Sequence, residues 1–122
     1  MSGTTTILLV DDQKNVRAYT RAALEDEGFE VLEAGSANQA MKVLEDHSGP
    51  VHLLLTDVVL NGTDGRQLAQ LVLASHPEIR VVLMSGYPIE LSPGSNAEFL
   101  SKPYGPDELT AAIRAALAPR QS

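Results

Sequence analysis

The chain has 122 residues, of which 43% are hydrophobic, and this predicts a single domain spanning residues 1–122 with a folded core from about 5 to 118. The sequence contains no cysteine and shows no charged-then-apolar leader at its N-terminus. It also lacks an apolar run near the roughly 20 residues that a membrane span needs, so we expect a cytoplasmic protein without membrane insertion. The net charge of −7 argues against direct nucleic-acid binding, which needs a basic face.

Five short apolar runs alternate with helical patterns, which is typical of a parallel sheet with crossover helices. The predicted strands are Thr6–Val10, Glu30–Ala34, Val51–Thr56, Ile79–Met84 and Ala97–Ser101. The first, third and fourth runs are almost continuously apolar, as strands covered on both faces are, whereas the second and fifth alternate with polar residues and should form the edges. We therefore predict an α/β fold with a doubly wound, five-stranded parallel sheet in the flavodoxin-like order 2-1-3-4-5.

Helical periodicity fills the intervals between these strands. The apolar faces are predicted from four sets of residues: Val16, Tyr19 and Ala23; Ala37, Ala40, Met41 and Leu44; Leu68, Leu71 and Val72; Leu109, Ile113 and Ala116. Ser36 and Asp64 are expected to cap the second and third of these helices, and Pro106 to begin the last. Prolines and a glycine interrupt the segment from Tyr87 to Asn96, so we expect the fourth crossover helix to be short or absent.

Polar side chains follow four of the predicted strands at the edge where open α/β sheets bind ligands. They are Asp11, Asp12, Asp57, Ser85 and Lys102. Three carboxylates in one crevice repel each other unless a cation neutralises them, and clustered oxygen ligands suit magnesium. An aspartate beside a metal and a lysine is a plausible nucleophile toward phosphorus, and Ser85 could donate a hydrogen bond to a phosphoryl oxygen.

Each of these residues also has an ordinary structural explanation. The paired aspartates could cap the first helix, Asp57 could be a turn residue, and Lys102 and Ser85 could be surface residues of loops. Their joint placement at converging strand ends favours a site over these separate explanations. The three histidines, His47, His52 and His76, are expected to be structural, because their spacing fits no metal site.

Four segments resemble the receiver domain of response regulators. They are LLVDD at Leu8–Asp12, LLLTDVVLNGTDG at Leu53–Gly65, LMSGY at Leu83–Tyr87 and FLSKPY at Phe99–Tyr104. The resemblance implies a phosphoacceptor receiver domain of a two-component phosphorelay, which takes a phosphoryl group from a histidine kinase or a histidine phosphotransfer domain. The third-strand loop and the LMSGY segment look more like those in the receivers of hybrid kinases.

The same resemblance assigns roles to individual residues. It implies phosphorylation of Asp57, with Mg²⁺ or Mn²⁺ held by Asp57, by Asp12 directly, by Asp11 through water and by the backbone carbonyl of Val59. It also implies that Lys102 pairs with the phosphoryl group through a cis Lys102–Pro103 peptide. The remaining two residues would form the switch, since Ser85 would close onto phosphorylated Asp57 while Phe99 rotates inward.

Two departures from the family pattern affect what we expect of this chain. Asn61 stands where the family usually has proline, which predicts a looser Asn61–Gly62 turn. The interrupted fourth helix predicts a reduced output face, so we expect a monomer whose partner contacts favour the first helix near residues 15–22 and the loops around Asp57. Val59 and Tyr87 flank the expected water path and orient water poorly, which predicts slow loss of the phosphoryl group.

Three other functions compete with this interpretation. A catalytically silent receiver-like interaction module would not need the complete set of acceptor, acids, hydroxyl and lysine. A magnesium phosphatase with an aspartyl intermediate would need a D-x-D pattern and a cap domain, whereas the first strand ends in DDQK. A nucleotide- or flavin-binding module would need a glycine-rich loop at that point.

Overall fold

The computed structural model describes residues 4–89 and 97–118. The strands in these ranges are β1 Thr6–Val10, β2 Glu30–Ala34, β3 Leu53–Asp57, β4 Val59–Leu60, β5 Thr63–Asp64, β6 Arg80–Ser85 and β7 Glu98–Ser101. The helices are α1 Lys14–Asp26, α2 Ala37–Asp46, α3 Gly65–Ser75 and α4 Pro106–Leu117. No helix in the described part of the chain is long and apolar enough to cross a membrane.

Five of the strands form one parallel sheet in the order β2-β1-β3-β6-β7. This is the predicted order 2-1-3-4-5 of the five predicted strands, and the two strands with alternating polarity do lie at its edges. Every residue of β1 and β3 is buried, which explains why these two runs are continuously apolar up to their polar ends. The prediction of a flavodoxin-like α/β fold is confirmed.

The core consists of two apolar clusters, one on each face of the sheet. Alternate residues of a strand point to opposite faces, so Leu8 and Val10 join one cluster while Ile7 and Leu9 join the other. The first cluster is completed by residues of α2 and α3, and the second by residues of α1 and α4. The sheet is therefore covered on both sides, and its loops at the strand ends are left to form a site.

Two of the predicted helix faces need correction. In α1 the buried residues are Thr20 and Leu24, whereas Tyr19 is 49% exposed. In α3 the residue Leu71, predicted to face the core, is 57% exposed, and Ala69 is buried in its place together with Leu68 and Val72. In α1 the polar Thr20 can lie inside because its Oγ1 meets the hydroxyl of Tyr104. In α3 the buried residues follow the regular helical spacing Gly65, Leu68, Ala69 and Val72, which leaves Leu71 outside that stripe.

The short antiparallel pair β4–β5 was not predicted. It pairs Val59 with Asp64 and Leu60 with Thr63, so Asn61 and Gly62 form a two-residue connection. Gly62 has a φ of 80°, whereas the φ of Asn61 is not positive, so the left-handed backbone allowed for this turn lies at the glycine. The turn thus relies on the one residue that adopts this conformation without a steric cost.

The interrupted segment lies largely outside the described residues. Residues 87–89 form no helix or strand. The prediction of a short or absent helix across Tyr87–Asn96 otherwise concerns residues 90–96, which the structure does not describe.

Candidate functional site

The carboxyl ends of four parallel strands bring the predicted polar residues to one edge of the sheet. Asp57 ends β3 and is paired in register with Met84 of β6, and Ser85 ends β6 opposite Ser101 of β7. Asp11 follows β1 directly, and Lys102 follows β7. The peptide bond between Lys102 and Pro103 is cis, as predicted.

Lys102 joins two of the carboxylates. Its Nζ lies 2.6 Å from Oδ2 of Asp57 and 3.2 Å from Oδ2 of Asp11. Burial by itself lowers the pKa of the Lys102 ammonium, but the hydrogen bond to Asp57 and the charges of Asp11 and Asp57 outweigh it and raise that pKa above its ordinary value. The ammonium of Lys102 therefore keeps its positive charge and is held between the carboxylates of Asp11 and Asp57.

Backbone amides hold the other oxygens of the same two carboxylates. The N–H of Gln13 donates to Oδ1 of Asp11 at 2.9 Å, and the N–H of Val59 donates to Oδ1 of Asp57 at 3.1 Å. Asp11 is fully buried, and Asp57 is 7% exposed. Both side chains are thus fixed by contacts to each oxygen, while a narrow opening leaves Asp57 within reach of solvent.

Asp12 is exposed and completes an acidic cluster. One oxygen from each of Asp11, Asp12 and Asp57 lies within 4.8 Å of the others. A single ammonium, that of Lys102, does not balance three carboxylates at this separation, so the cluster has charge left to bind a cation. Hard carboxylate oxygens with an exposed member fit Mg²⁺ or Mn²⁺, ions that retain some of their water when bound.

The remaining predicted site residues lie around this cluster. Ser85 is 1% exposed, and its Oγ accepts a hydrogen bond from the N–H of Tyr87 at 3.1 Å. Phe99 on β7 is 36% exposed, on the opposite side of its strand from the buried Leu100. Val59, two residues after Asp57 in β4, has a 53% exposed side chain.

Gly65 makes a close approach that the sequence analysis did not identify as part of the site. A Cβ placed on Gly65 would lie 2.0 Å from the carbonyl oxygen of Asp57 and 3.1 Å from Cα of Val58. The N–H of Gly65 also donates to the carbonyl oxygen of Val58 at 2.7 Å. The first residue of α3 is therefore packed directly on the backbone of Asp57, which only a residue without a side chain permits.

A partly buried pair of hydroxyls, those of Thr20 and Tyr104, was also missed. The hydroxyl of Tyr104 lies 2.5 Å from Oγ1 of Thr20 and 3.4 Å from the sulfur of Met84. Burial raises the pKa of the Tyr104 phenol. The sequence signal was a threonine within the apolar stripe of α1, but its partner is 84 residues away and cannot be inferred from local pattern.

The histidines make contacts outside the acidic cluster. His52 precedes β3, and its Nδ1 accepts a hydrogen bond from the N–H of Thr6 at 3.0 Å. His76 follows α3 with its Nδ1 3.8 Å from a carboxylate oxygen of Glu78. Among the residues that the structure describes, the acidic cluster is the one group of three or more potential metal ligands.

The fold and the site together define a class of protein. The family model described as the response regulator receiver domain matches residues 7–114, and the chain belongs to this family. It is thus a receiver domain of the two-component signalling type, with the phosphoacceptor architecture of that class.

Several individual relatives are similar over most of this chain. The sensor kinase CckA of Brucella abortus is 32% identical over 119 residues, which cover 93% of this chain and 13% of that kinase. The response regulator receiver protein CpdR of Brucella abortus is 32% identical over 103 residues, which cover 80% of this chain and 84% of that protein. The chain spans less than a quarter of CckA and of the NtrX-like response regulator of Rickettsia felis.

Solved receiver structures superpose closely on the fold. The receiver domain of the hybrid histidine kinase CckA has a TM-score of 0.80 at 31% identity, covering 93% of this chain and 99% of the other. A CheY-like receiver domain from Methanospirillum hungatei has a TM-score of 0.84 at 27% identity, with 94% of each chain covered.

Proposed function

We propose that this domain accepts a phosphoryl group on Asp57 from a phosphohistidine donor, in a reaction that requires Mg²⁺ or Mn²⁺. The observation that carries the proposal is the position of Lys102, whose ammonium contacts Asp57 and Asp11 at the edge where three carboxylates meet. A negatively charged aspartate can attack a negatively charged phosphoryl group only when cations offset the repulsion between the two. Membership of the receiver family supports the same reaction.

The proposed step transfers one group between two side chains. An oxygen of Asp57 forms a bond to phosphorus while the phosphorus–nitrogen bond of the donor histidine breaks, and the product is an acyl phosphate. A divalent cation held by Asp11, Asp12, Asp57 and the carbonyl of Val59 would neutralise phosphoryl oxygens during this step. Lys102, released from part of its contact with Asp57, would pair with the phosphoryl group.

Ser85 and Phe99 would report the modification to the rest of the fold. Ser85 is buried beside the acceptor strand, and its hydroxyl can donate a hydrogen bond toward a phosphoryl oxygen on Asp57. Phe99 is partly exposed on the neighbouring strand and would turn inward once Ser85 moves. The proposed switch is therefore a coupled movement across β6 and β7 that a local change of charge drives.

The substitution Asp57→Asn tests the acceptor directly. With acetyl phosphate and Mg²⁺, intact-mass spectrometry should show one added phosphoryl group on the parent domain and none on Asp57→Asn. The control Asp46→Asn changes an exposed carboxylate at the end of α2 and should be modified like the parent. An added phosphoryl group on Asp57→Asn would place the acceptor elsewhere, and equal modification with EDTA would remove the metal requirement.

The partner in this reaction would be a histidine kinase or a histidine phosphotransfer domain in the cytoplasm, approaching the acceptor edge and the start of α1.

We propose that the domain stays monomeric when modified, because the prolines and glycine after Tyr87 interrupt the apolar stripe that a fourth helix would offer. Sedimentation with and without beryllofluoride tests this, and a dimer induced by beryllofluoride would contradict it. No feature of the described residues favours a silent interaction module instead.

A further inference from the structure

Arg17 connects the acidic cluster to the neighbouring edge strand. It lies in α1, and its guanidinium donates one hydrogen bond to the backbone carbonyl oxygen of Asp11 at 2.7 Å and another to Glu33 of β2 at 3.1 Å. The side chain of Arg17 is 19% exposed and that of Glu33 is 28% exposed, so the contacts are largely shielded from water. Because the guanidinium is shielded from water and forms two hydrogen bonds, its position is more rigidly fixed than that of an ordinary surface ion pair.

The hydrogen bond from Arg17 acts on the peptide group that links Asp11 to Asp12, two residues of the acidic cluster. The rest of Asp11 is already fixed, since its N–H donates to Ala34, its Oδ1 accepts from Gln13 and its Oδ2 faces Lys102. Asp12, by contrast, is exposed, and the direction of its side chain depends on the orientation of the 11–12 peptide. The hydrogen bond from Arg17 to the carbonyl of Asp11 sets that orientation.

Gly35 leaves open the space that the guanidinium of Arg17 occupies. A Cβ on Gly35 would lie 3.3 Å from a terminal nitrogen of Arg17, a distance at which the guanidinium would have to give way. The chain after β2 thus carries no side chain at the point where the guanidinium passes.

We propose that Arg17 is a positioning residue for the divalent-cation site, which orients the Asp11–Asp12 peptide and thereby holds the exposed carboxylate of Asp12 in the cluster. This inference rests on the proposed function, because it concerns the same metal. Residues that orient metal ligands without touching the metal typically change affinity by about 10- to 100-fold when removed.

The proposal makes a prediction opposite in sign to simple electrostatics. Removing a positive charge near three carboxylates should by charge alone strengthen cation binding. If Arg17 positions Asp12, however, Arg17→Met should weaken the binding of Mg²⁺ by about tenfold. The substitution keeps the apolar stem of the side chain, so packing against the helix is preserved as far as possible.

Arg21 provides a matched control one turn further along α1. It also bonds Glu33, and it forms an ion pair with Glu25 at 3.0 Å, but its hydrogen bonds do not include Asp11. Arg21→Met therefore removes a similar charge and a contact to the same partner without releasing the 11–12 peptide. It should leave the affinity for Mg²⁺ unchanged or slightly higher.

The experiment titrates the metal-free full chain with MgCl₂ and follows binding by amide chemical shifts, with folding of each variant checked in EDTA. Expected are a Kd raised about tenfold for Arg17→Met, no increase for Arg21→Met, and phosphorylation by acetyl phosphate that recovers to the parental rate at saturating Mg²⁺. Arg17→Lys keeps the charge and is the second variant should Arg17→Met fail to fold; it should also bind more weakly, since one ammonium does not reproduce a two-pronged guanidinium contact.

Two results would overturn the assignment of Arg17. One is a Kd for the folded Arg17 variant that equals or falls below the parental value. The other is an equal loss in Arg21→Met, which would trace the effect to Glu33 or to the helix. A parental domain that binds no Mg²⁺ would instead remove the proposed function as well, whereas failure at Arg17 alone leaves phosphorylation of Asp57 intact.

Discussion

Gly65→Ala is the substitution for which the structure predicts the largest effect on both fold and site. The new methyl carbon would start 2.0 Å from the carbonyl oxygen of Asp57 and 2.9 Å from its carbonyl carbon. An unstrained contact between carbon and oxygen is about 3.3 Å, so the start of α3 or the backbone of Asp57 must move by about 1 Å. Neither is a flexible side-chain end that could move at little cost.

The size of the effect follows from the cost of overpacking. Extra carbon in a well-packed site costs about 1–3 kcal/mol, and the upper end applies here because backbone atoms are displaced. We expect a loss of about 3 kcal/mol in the free energy of unfolding. An unfolding entropy near 2.1 cal/mol/K per residue over 122 residues converts this into a fall of about 12 °C in Tm.

Two other glycines separate this clash from the general effect of replacing glycine. A Cβ added to Gly86 would have no atom within 4 Å, and this residue has no left-handed φ, so Gly86→Ala should change stability by no more than about 0.5 kcal/mol. Gly28 has equally open space but a φ of 92°, so Gly28→Ala should cost only the conformational strain of about 1–2 kcal/mol.

Thermal and urea unfolding of the three variants test the predicted order, and phosphorylation by acetyl phosphate tests the site. The Gly65 variant should be the least stable and, where folded, the slowest to be modified, because the displaced carbonyl belongs to Asp57. A Tm for Gly65→Ala equal to that for Gly86→Ala would refute the argument from close approach.

Three further predictions concern charge, phosphoryl lifetime and a buried amide. Because the folded-state pKa of Lys102 lies above its ordinary value of 10.5, its charge contributes stability that is present below about pH 10.5 and lost as pH rises through the folded-state pKa. Urea titrations should therefore show the stability difference between parent and Lys102→Met shrinking above about pH 10.5, and a constant difference would contradict this. Val59→Asn and Tyr87→Ala should each speed the loss of phosphate from the modified domain in a time course, and parental rates would remove the idea that these side chains hinder water. His52→Ala should cost about 1–2 kcal/mol in urea unfolding because it leaves the buried N–H of Thr6 without its acceptor, and an unchanged midpoint would show that water replaces the imidazole.

Local pattern was sufficient for the sheet and for most of the acidic edge. The apolar runs of β1 and β3 are strands buried on both faces, and such burial requires consecutive residues to be apolar, which the sequence shows directly. Since all strands of the sheet are parallel, residues that follow them must meet at one edge, which is why the sequence alone was enough to group Asp11, Asp57 and Lys102.

Contacts between distant elements were decided only by the tertiary structure. Thr20 replaces Tyr19 on the inner face of α1 because a partner hydroxyl, that of Tyr104, arrives from the other end of the chain. The closeness of Gly65 to Asp57 likewise depends on how the β4–β5 turn returns the chain onto β3. Periodicity indicates which face of an element is apolar, but it carries no information on which distant atom will contact a given position.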